Sequence, residues 1–320
     1  MTPTDAQPLA PEAAADRATA PASGVLNVMS VDLEDWHQLA SRRVRGGLGT
    51  PTRNVFRQMD ALLALLDRHE VTATFFTMGA LAEAFPEIVR RVAEAGHEVA
   101  CHGHDHLIVH RLSPEAFRED TRRAKETLES IAGAPVVGFR APEFSINRRT
   151  LWALDVLADL GFTYDSSIFP IHHRRYGIPE FSPEPTRYAL PGGGTIAEFP
   201  LSTTTLRGNR IPVAGGGYFR YLPGAALERV TRNLNADGLP LVTYFHPYEY
   251  DPQRLRAADE IPLSGWRQRL RASVLDVHQN VGRASLAGKV ERLLATFPFG
   301  PLRDALRTTD LPGPVPLPTA

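Results

Sequence analysis

Cys101-His102-Gly103-His104-Asp105-His106 sets three imidazoles and a carboxylate within six residues, and five of the eleven histidines fall between His97 and His110. The residues before it, 95–100, read as a short turn and a buried strand, so His102 and His106 leave one strand end together, four residues apart. Paired neutral imidazoles completed by a carboxylate and a water are a common recipe for catalytic zinc. By itself the run suits a histidine-rich surface loop equally well. Its weight comes from polar residues at other strand ends: Asp32, Glu34 and Asp35, then Arg140, Asp165 and His246.

The elements that must position these groups alternate. Residues 25–33 form an apolar, β-branched run that predicts a buried strand. Helical spacing over 55–69, a strand over 71–77, a helix over 81–95 and a strand over 97–101 follow. Pro114–Ala132 predicts a helix with Ser113 as its N-cap. Residues 136–140, 149–160 and 162–165 repeat the strand–helix–strand rhythm, which argues for an α/β fold with a mainly parallel sheet or barrel. In a parallel barrel the C-terminal strand ends share the face that carries the active site, so separate loops would bring the strand-end groups together. Any one of them also suits a bland role, as a loop cap, a surface ion pair or a satisfied core histidine. From Pro170 the rhythm loosens into a Pro- and Gly-rich stretch. Gly192-Gly193-Gly194 predicts a hairpin tip before 195–201, and neither it nor Gly215-Gly216-Gly217 carries the Lys-Ser or Lys-Thr of a phosphate loop. A helix over 222–236 and a strand over 239–246 end the core.

Composition narrows the class. The 320 residues, 43% hydrophobic and 22% charged, suffice for one barrel-sized domain or two smaller ones. Thirty-five basic and thirty-six acidic side chains leave a net charge of −1 with no basic stripe, which argues against a nucleic-acid partner. Cys101, the single cysteine, excludes an intrachain disulfide and reads as a small buried residue. Residues 1–24 lack the basic start and apolar core of a signal peptide and predict a disordered tail. No later run predicts a transmembrane segment, and the expected location is cytoplasmic.

Ser30-Val31-Asp32-Leu33-Glu34-Asp35, His102-xxx-His106, Arg140-Ala141-Pro142, Asp165-Ser166-Ser167 and Phe245-His246, in that order, resemble the polysaccharide deacetylases of carbohydrate esterase family 4, the NodB-like homology domain. The resemblance runs from about residue 25 to 250. Gly215-Gly216-Gly217-Tyr218-Phe219-Arg220, His246-Pro247-Tyr248-Glu249 and the run from His278 to Arg283 are similar to a branch associated with bacterial exopolysaccharide biosynthesis. The resemblance implies a distorted (β/α) barrel and a mononuclear metal hydrolase that removes acetyl groups from N-acetylated glycans. Zn²⁺ is the expected ion, with Co²⁺ or Ni²⁺ as alternatives. It also implies His102 and His106 as ligands, Asp32 as general base, and His246 as general acid oriented by Asp165. Arg140 would hold Asp32, and the amide of Glu143 would help stabilise the oxyanion.

Three departures from the family pattern stand out. Leu33 separates Asp32 from Glu34 where many relatives have adjacent aspartates. Alternation puts Asp32 and Glu34 on one face and turns Asp35 away unless the strand ends first, which favours Glu34 as carboxylate ligand with Asp35 close behind. Gly103 replaces the usual Ser or Thr, and Glu143-Phe144 replaces an aromatic-Gly pair, which alters the substrate cleft. Trp36 and Tyr218 are further candidates for the sugar site, with packing an equal alternative; His104 is expected to point away from the histidine pair. The expected organisation is a tail (1–24), a catalytic barrel (25–250), a helical extension packing on it (251–310, with helices over 266–274 and 290–297) and a flexible end (311–320). The leading function is N-deacetylation of an acetamido sugar in a polysaccharide, oligosaccharide or precursor. A hydrolase of a cyclic non-sugar amide and a silent glycan-binding protein are the alternatives. Oligomeric state is not legible in the sequence.

Overall fold

The computed structural model describes residues 24–173 and 176–318, so the tail expected over 1–24 lies, apart from Gly24, outside the described residues. Strands Ser30–Leu33, Thr74–Thr77, Glu98–Cys101, Gly138–Phe139 and Tyr164–Asp165 pair in that order, all parallel, and Thr195–Glu198 joins the last of them in parallel. Thr186–Ala189 pairs antiparallel with Thr195–Glu198 across the hairpin expected at Gly192-Gly193-Gly194. At the opposite edge Ser30–Leu33 meets residues 242–245. Asp32 N donates to Phe245 O at 2.8 Å, and Phe245 N donates to Ser30 O at 3.0 Å. Gly215 bridges Tyr244 in turn, so the sheet curls into a distorted (β/α) barrel.

Alternation builds two apolar layers. Val31, Leu33, Phe75 and Phe139 face outward onto Leu62, Val89, Leu128 and Leu154 of the surrounding helices, whereas Phe76, Ala100, Tyr164 and Ala197 fill the other side. Each fully buried Leu, Val or Phe contributes roughly 1.5–3 kcal/mol.

Differences from the sequence expectation have local causes. The strand over 25–33 divides at Met29, because Asn27–Val28 pairs instead with Phe299–Gly300 from the C-terminal region. The helix over 81–95 is two, Gly79–Ala84 and Pro86–Glu94; Pro86 lacks an N–H and opens the second at its first position. The strand over 239–246 is reduced to isolated bridges between Pro240 and Pro247, which donate nothing to a ladder. Pro114–Ala132 matches its expected bounds, with Ser113 Oγ accepting from Ala116 N at 3.2 Å. Beyond residue 250 the two long helices, Gly265–Asn280 and Leu286–Thr296, are both longer than expected, and two short ones, Ala257–Glu260 and Leu302–Thr308, accompany them. The end expected to be flexible includes Val315–Pro316, paired in parallel with Tyr188 and Ala189.

Candidate active site

The strand Ser30–Leu33 stops before the two acids that follow it. Glu34 N folds back onto Asp32 O at 2.9 Å, and Asp35 becomes the N-cap of the helix Trp36–Arg45. The Asp35 carboxylate accepts from His37 N at 3.1 Å, Thr52 N at 2.6 Å and Thr52 Oγ1 at 2.7 Å. Burial raises that carboxyl above its ordinary value, with the three bonds offsetting part of the rise. Asp35 is therefore committed to capping. Glu34 turns the other way, its Oε1 3.0 Å from His106 Nε2 and 3.5 Å from His102 Nε2. All three side chains are buried, and one donor atom from each lies within 4.8 Å of the others.

This donor set fits a divalent metal. His102 Nδ1 lies 2.8 Å from the carbonyl of Arg140, a contact that needs the proton on Nδ1 and leaves the Nε2 lone pair toward Glu34. That Nε2 is buried with no hydrogen-bond partner. An Nδ1–carbonyl contact behind a bare Nε2 is the outer support that metal-binding histidines use. Burial pushes the His106 imidazole below its ordinary value, with Glu34 compensating only in part, in the direction that frees a ring nitrogen to act as a ligand. Burial also opposes ionisation of Glu34, but the His106 ring and the Arg42 guanidinium hold its carboxyl well below the usual range. His106 adopts a left-handed backbone, φ 53°, which costs a non-glycine residue about 1–3 kcal/mol and is common at functional sites.

Arg42 was not singled out by its sequence. Its Nη1 lies 2.5 Å from His106 Nδ1 and 2.8 Å from Nε2, and its Nη2 lies 3.5 Å from Glu34 Oε2. The donor set thus already faces a positive charge. Arg42 is one of three arginines in the last turn of its helix, and no spacing rule says which would reach the barrel mouth.

Asp32 opens on the same cleft. Its Oδ1 accepts from Arg140 Nη1 at 2.8 Å. Arg140 is completely buried, and it also donates to Ser30 Oγ at 2.8 Å, Ser166 O at 3.0 Å and Ser166 Oγ at 2.9 Å. The guanidinium lies 4.0 Å from the centre of the Phe76 ring. Arg140 thus meets Asp32 in a charge-assisted hydrogen bond.

His246 reaches the cleft from the far side, stacked on Tyr248 with ring centres 4.9 Å apart and its Nε2 4.0 Å from Glu34 Oε1. The carboxylate beside it is Glu249, whose Oε2 lies 3.5 Å from His246 Nδ1 and accepts from His246 N at 2.9 Å. Burial alone would lower the imidazole; Glu249, Glu34 and Asp32 outweigh it and hold the ring above its ordinary value. Gly216 explains part of the Gly215-Gly216-Gly217 run, since a Cβ there would collide with the Glu249 carboxylate.

Asp165, expected behind His246, is elsewhere. Among the described residues no contact joins the two. Asp165 accepts from Ser167 N at 3.1 Å and Ser167 Oγ at 2.5 Å, and Ser167 Oγ in turn accepts from Ala141 N at 2.7 Å. Its other neighbour is Glu198, equally buried. Burial and the Asp165 charge push the Glu198 carboxyl well above its ordinary value. This pair braces the loop that carries Arg140.

Two aromatic candidates also move. Trp36 is buried among Leu39, Val44 and Tyr248 rather than lining the cleft, because Asp35 starts the helix one residue earlier. Tyr218 stands one layer back, edge-on to Phe169. The cleft, about 150 Å³, is lined by Glu143 and Phe144 as expected, and by Tyr176, Tyr244 and Tyr248. Glu143 has a left-handed φ of 52° and pairs with Arg42 Nε at 3.4 Å and Arg43 Nη2 at 3.5 Å. His104 does point away, its Nε2 3.1 Å from Glu83 and its Nδ1 2.9 Å from Asp105.

A polysaccharide deacetylase profile matches residues 57–164, and a domain of unknown function (DUF3473) matches residues 166–307. The chain is 30% identical over 164 residues to a chitooligosaccharide deacetylase of Rhizobium leguminosarum bv. trifolii, an alignment covering 48% of this chain and 68% of that one. It is 34% identical over 95 residues to a peptidoglycan-N-acetylglucosamine deacetylase of Bacillus cereus, covering 29% of this chain and about a third, 34%, of the relative. A solved structure from Mycobacterium smegmatis, provisionally assigned as a polysaccharide deacetylase, superposes with a TM-score of 0.56 at 20% identity over 95% of each chain. The chain belongs to the polysaccharide deacetylase family, and its barrel is the one that family uses. No helix among the described residues is long and apolar enough to cross a membrane.

Proposed function

We propose that this chain is a metal-dependent hydrolase that removes the acetyl group from the nitrogen of an acetamido sugar in a glycan or glycan precursor. The observation that carries the reading is the buried Glu34–His102–His106 set facing Asp32 and His246 across one cleft. Glu34, His102 and His106 would hold the metal, Zn²⁺ first and Co²⁺ or Ni²⁺ as alternatives. When bound, it supplies a Lewis acid at the amide carbonyl and makes water acidic enough to lose a proton near neutrality. Asp32, fixed by Arg140, takes the proton from the attacking water. His246 gives a proton to the departing sugar amine, and Glu249 keeps its Nδ1 protonated and its Nε2 directed into the cleft. The amide of Glu143 serves the developing oxyanion. Asp165 acts at a distance, through the loop that positions Arg140.

The retention of both Asp32 and His246 counts against a silent glycan-binding protein. The match to the domain of unknown function (DUF3473), which spans Gly215 to Arg220 and His278 to Arg283, fits a role in exopolysaccharide biosynthesis. A cytoplasmic chain would meet a precursor rather than the finished polymer. The test is acetate release from N-acetylated chitooligosaccharides by protein stripped with chelator and reloaded with zinc. Release that returns only with metal is the expected result. Tight zinc binding with no acetate from any glycan would turn the reading toward a non-sugar amide.

A further inference from the structure

The helix Gly265–Asn280 carries an apolar stripe that the described residues leave uncovered. Trp266 is 70% exposed, and Leu270, Val274, Val277 and Val281 are between 46% and 61% exposed. At about 100° per residue these five fall within a sector of about 80°, over a length of roughly 22 Å. Ala272, on the opposite side, is buried with Leu39, Ala40 and Val44 of the Trp36–Arg45 helix. One face thus anchors the helix to the barrel and the other looks outward.

The fully exposed charged side chains of the helix are all basic. Arg267, Arg269 and Arg271 are exposed, and the Arg267 guanidinium lies 5.5 Å from the Trp266 ring centre. The single acid of the helix, Asp276, is half-buried and accepts from Ala257 N at 2.8 Å. Val277 and Val281 run into an open groove of about 580 Å³ that Arg254 and Arg283 line together with the acids Glu249 and Asp251. A stripe of large apolar side chains with a tryptophan at one end and arginines along its border is the pattern of a helix lying in the surface of an anionic bilayer.

We infer that this helix docks the enzyme on an anionic lipid surface. The bases beside the stripe select negatively charged headgroups, and Trp266, Leu270 and Val274 enter the headgroup–acyl boundary. The helix is tied to the catalytic barrel at its C-terminal end, where Arg220 Nη1 donates to His278 O at 3.2 Å and to Gln279 O at 2.5 Å. Gln279 itself lines the cleft with Glu34 and His246.

The test is flotation of the full chain with phosphatidylcholine vesicles, with and without 30% phosphatidylglycerol, alongside Leu270→Ser/Val274→Ser and Arg267→Gln/Arg269→Gln/Arg271→Gln. It reads binding alone and so succeeds or fails apart from the deacetylase reading. The wild type should float with anionic vesicles and bind neutral ones at least about tenfold more weakly, and each variant should lose at least about tenfold while keeping its circular dichroism and melting temperature. Tryptophan emission should shift to the blue on anionic vesicles, and Trp266→Phe should abolish the shift. No flotation with either vesicle, flotation unchanged in both variants, or a dimer in sedimentation that Leu270→Ser/Val274→Ser dissociates without any vesicle binding would each overturn the inference.

Discussion

Glu34, His102 and His106 meet where separate strand ends converge, whereas His246 takes its carboxylate from its own loop, Glu249, three residues on. The first side of the cleft is assembled by sheet register: Asp32 pairs with Phe76, and Thr77 with Cys101, so the ends arrive at one height. The second side is assembled by a short 3-10 turn, Pro247–Tyr250, in which Glu249 N donates to His246 O and the Glu249 side chain returns to His246 N. Register carries over long sequence distances and is readable from strand alternation. A local turn is set by hydrogen bonds that alternation does not describe. Asp165 shows the cost of applying the first logic to the second side: it ends a strand on the correct face, yet both its oxygens are taken by Ser167.

The largest expected effect separates the two acids that the strand end leaves in question. Glu34→Gln should weaken zinc binding by more than about a hundredfold, since even an outer-shell loss costs 10–100-fold. Asp35→Asn should keep the affinity and the helix cap and cost about 1 kcal/mol of stability by replacing the oxygen that accepts from Thr52 N and Oγ1. Titration with a competing chelator, read with a denaturation curve, checks both; equal loss of zinc in the two variants would erase the distinction.

Next comes the general-acid side. Glu249→Gln keeps an acceptor for His246 N but loses the charge, and kcat should fall roughly 10–100-fold with KM and zinc affinity unchanged. Asp165→Asn should change kcat per folded molecule by less than about threefold while lowering stability by about 1–3 kcal/mol. Steady-state kinetics of the two variants would reverse the assignment if Asp165→Asn proved the slower enzyme with intact stability.

The smallest effect concerns the Asp165–Glu198 pair. Its folded-state carboxyl value is raised, so the folded protein holds a proton that the unfolded chain has released. Stability from this group is present below the ordinary carboxyl range and declines as pH rises through the raised value, by up to about 1.4 kcal/mol per pH unit. Glu198→Gln, fixed neutral and similar in shape, should flatten that decline. Unfolding midpoints across a pH series would show it, and an unchanged slope would mean that Glu198 is not the proton holder.

Much of the fold was legible because its signals are local and periodic. The helix Pro114–Ala132 has a capping serine and a proline at its first position, and the hairpin at Gly192-Gly193-Gly194 has its turn glycines. Strands paired by residues far along the chain were less so. Asn27–Val28 leaves the first strand to join Phe299–Gly300, and nothing near residue 27 announces it. In the site, the histidine spacing and the strand-end carboxylates named the candidate metal set. Arg42 escaped because a helix of ten residues with basic residues at 42, 43 and 45 gives no sign of which one bends over the barrel mouth. Trp36 was misplaced for the converse reason: the Asp35 cap fixes the helix start, and with it the inward face on which Trp36 is buried.

Anomalous diffraction at the zinc edge, from crystals of the full chain soaked in zinc, tests the central claim most directly. The account predicts a strong peak within about 2.0–2.2 Å of His102 Nε2, His106 and a Glu34 oxygen. A peak confined to the neighbouring His104, Asp105 and Asp120 group, or none at all, would contradict it.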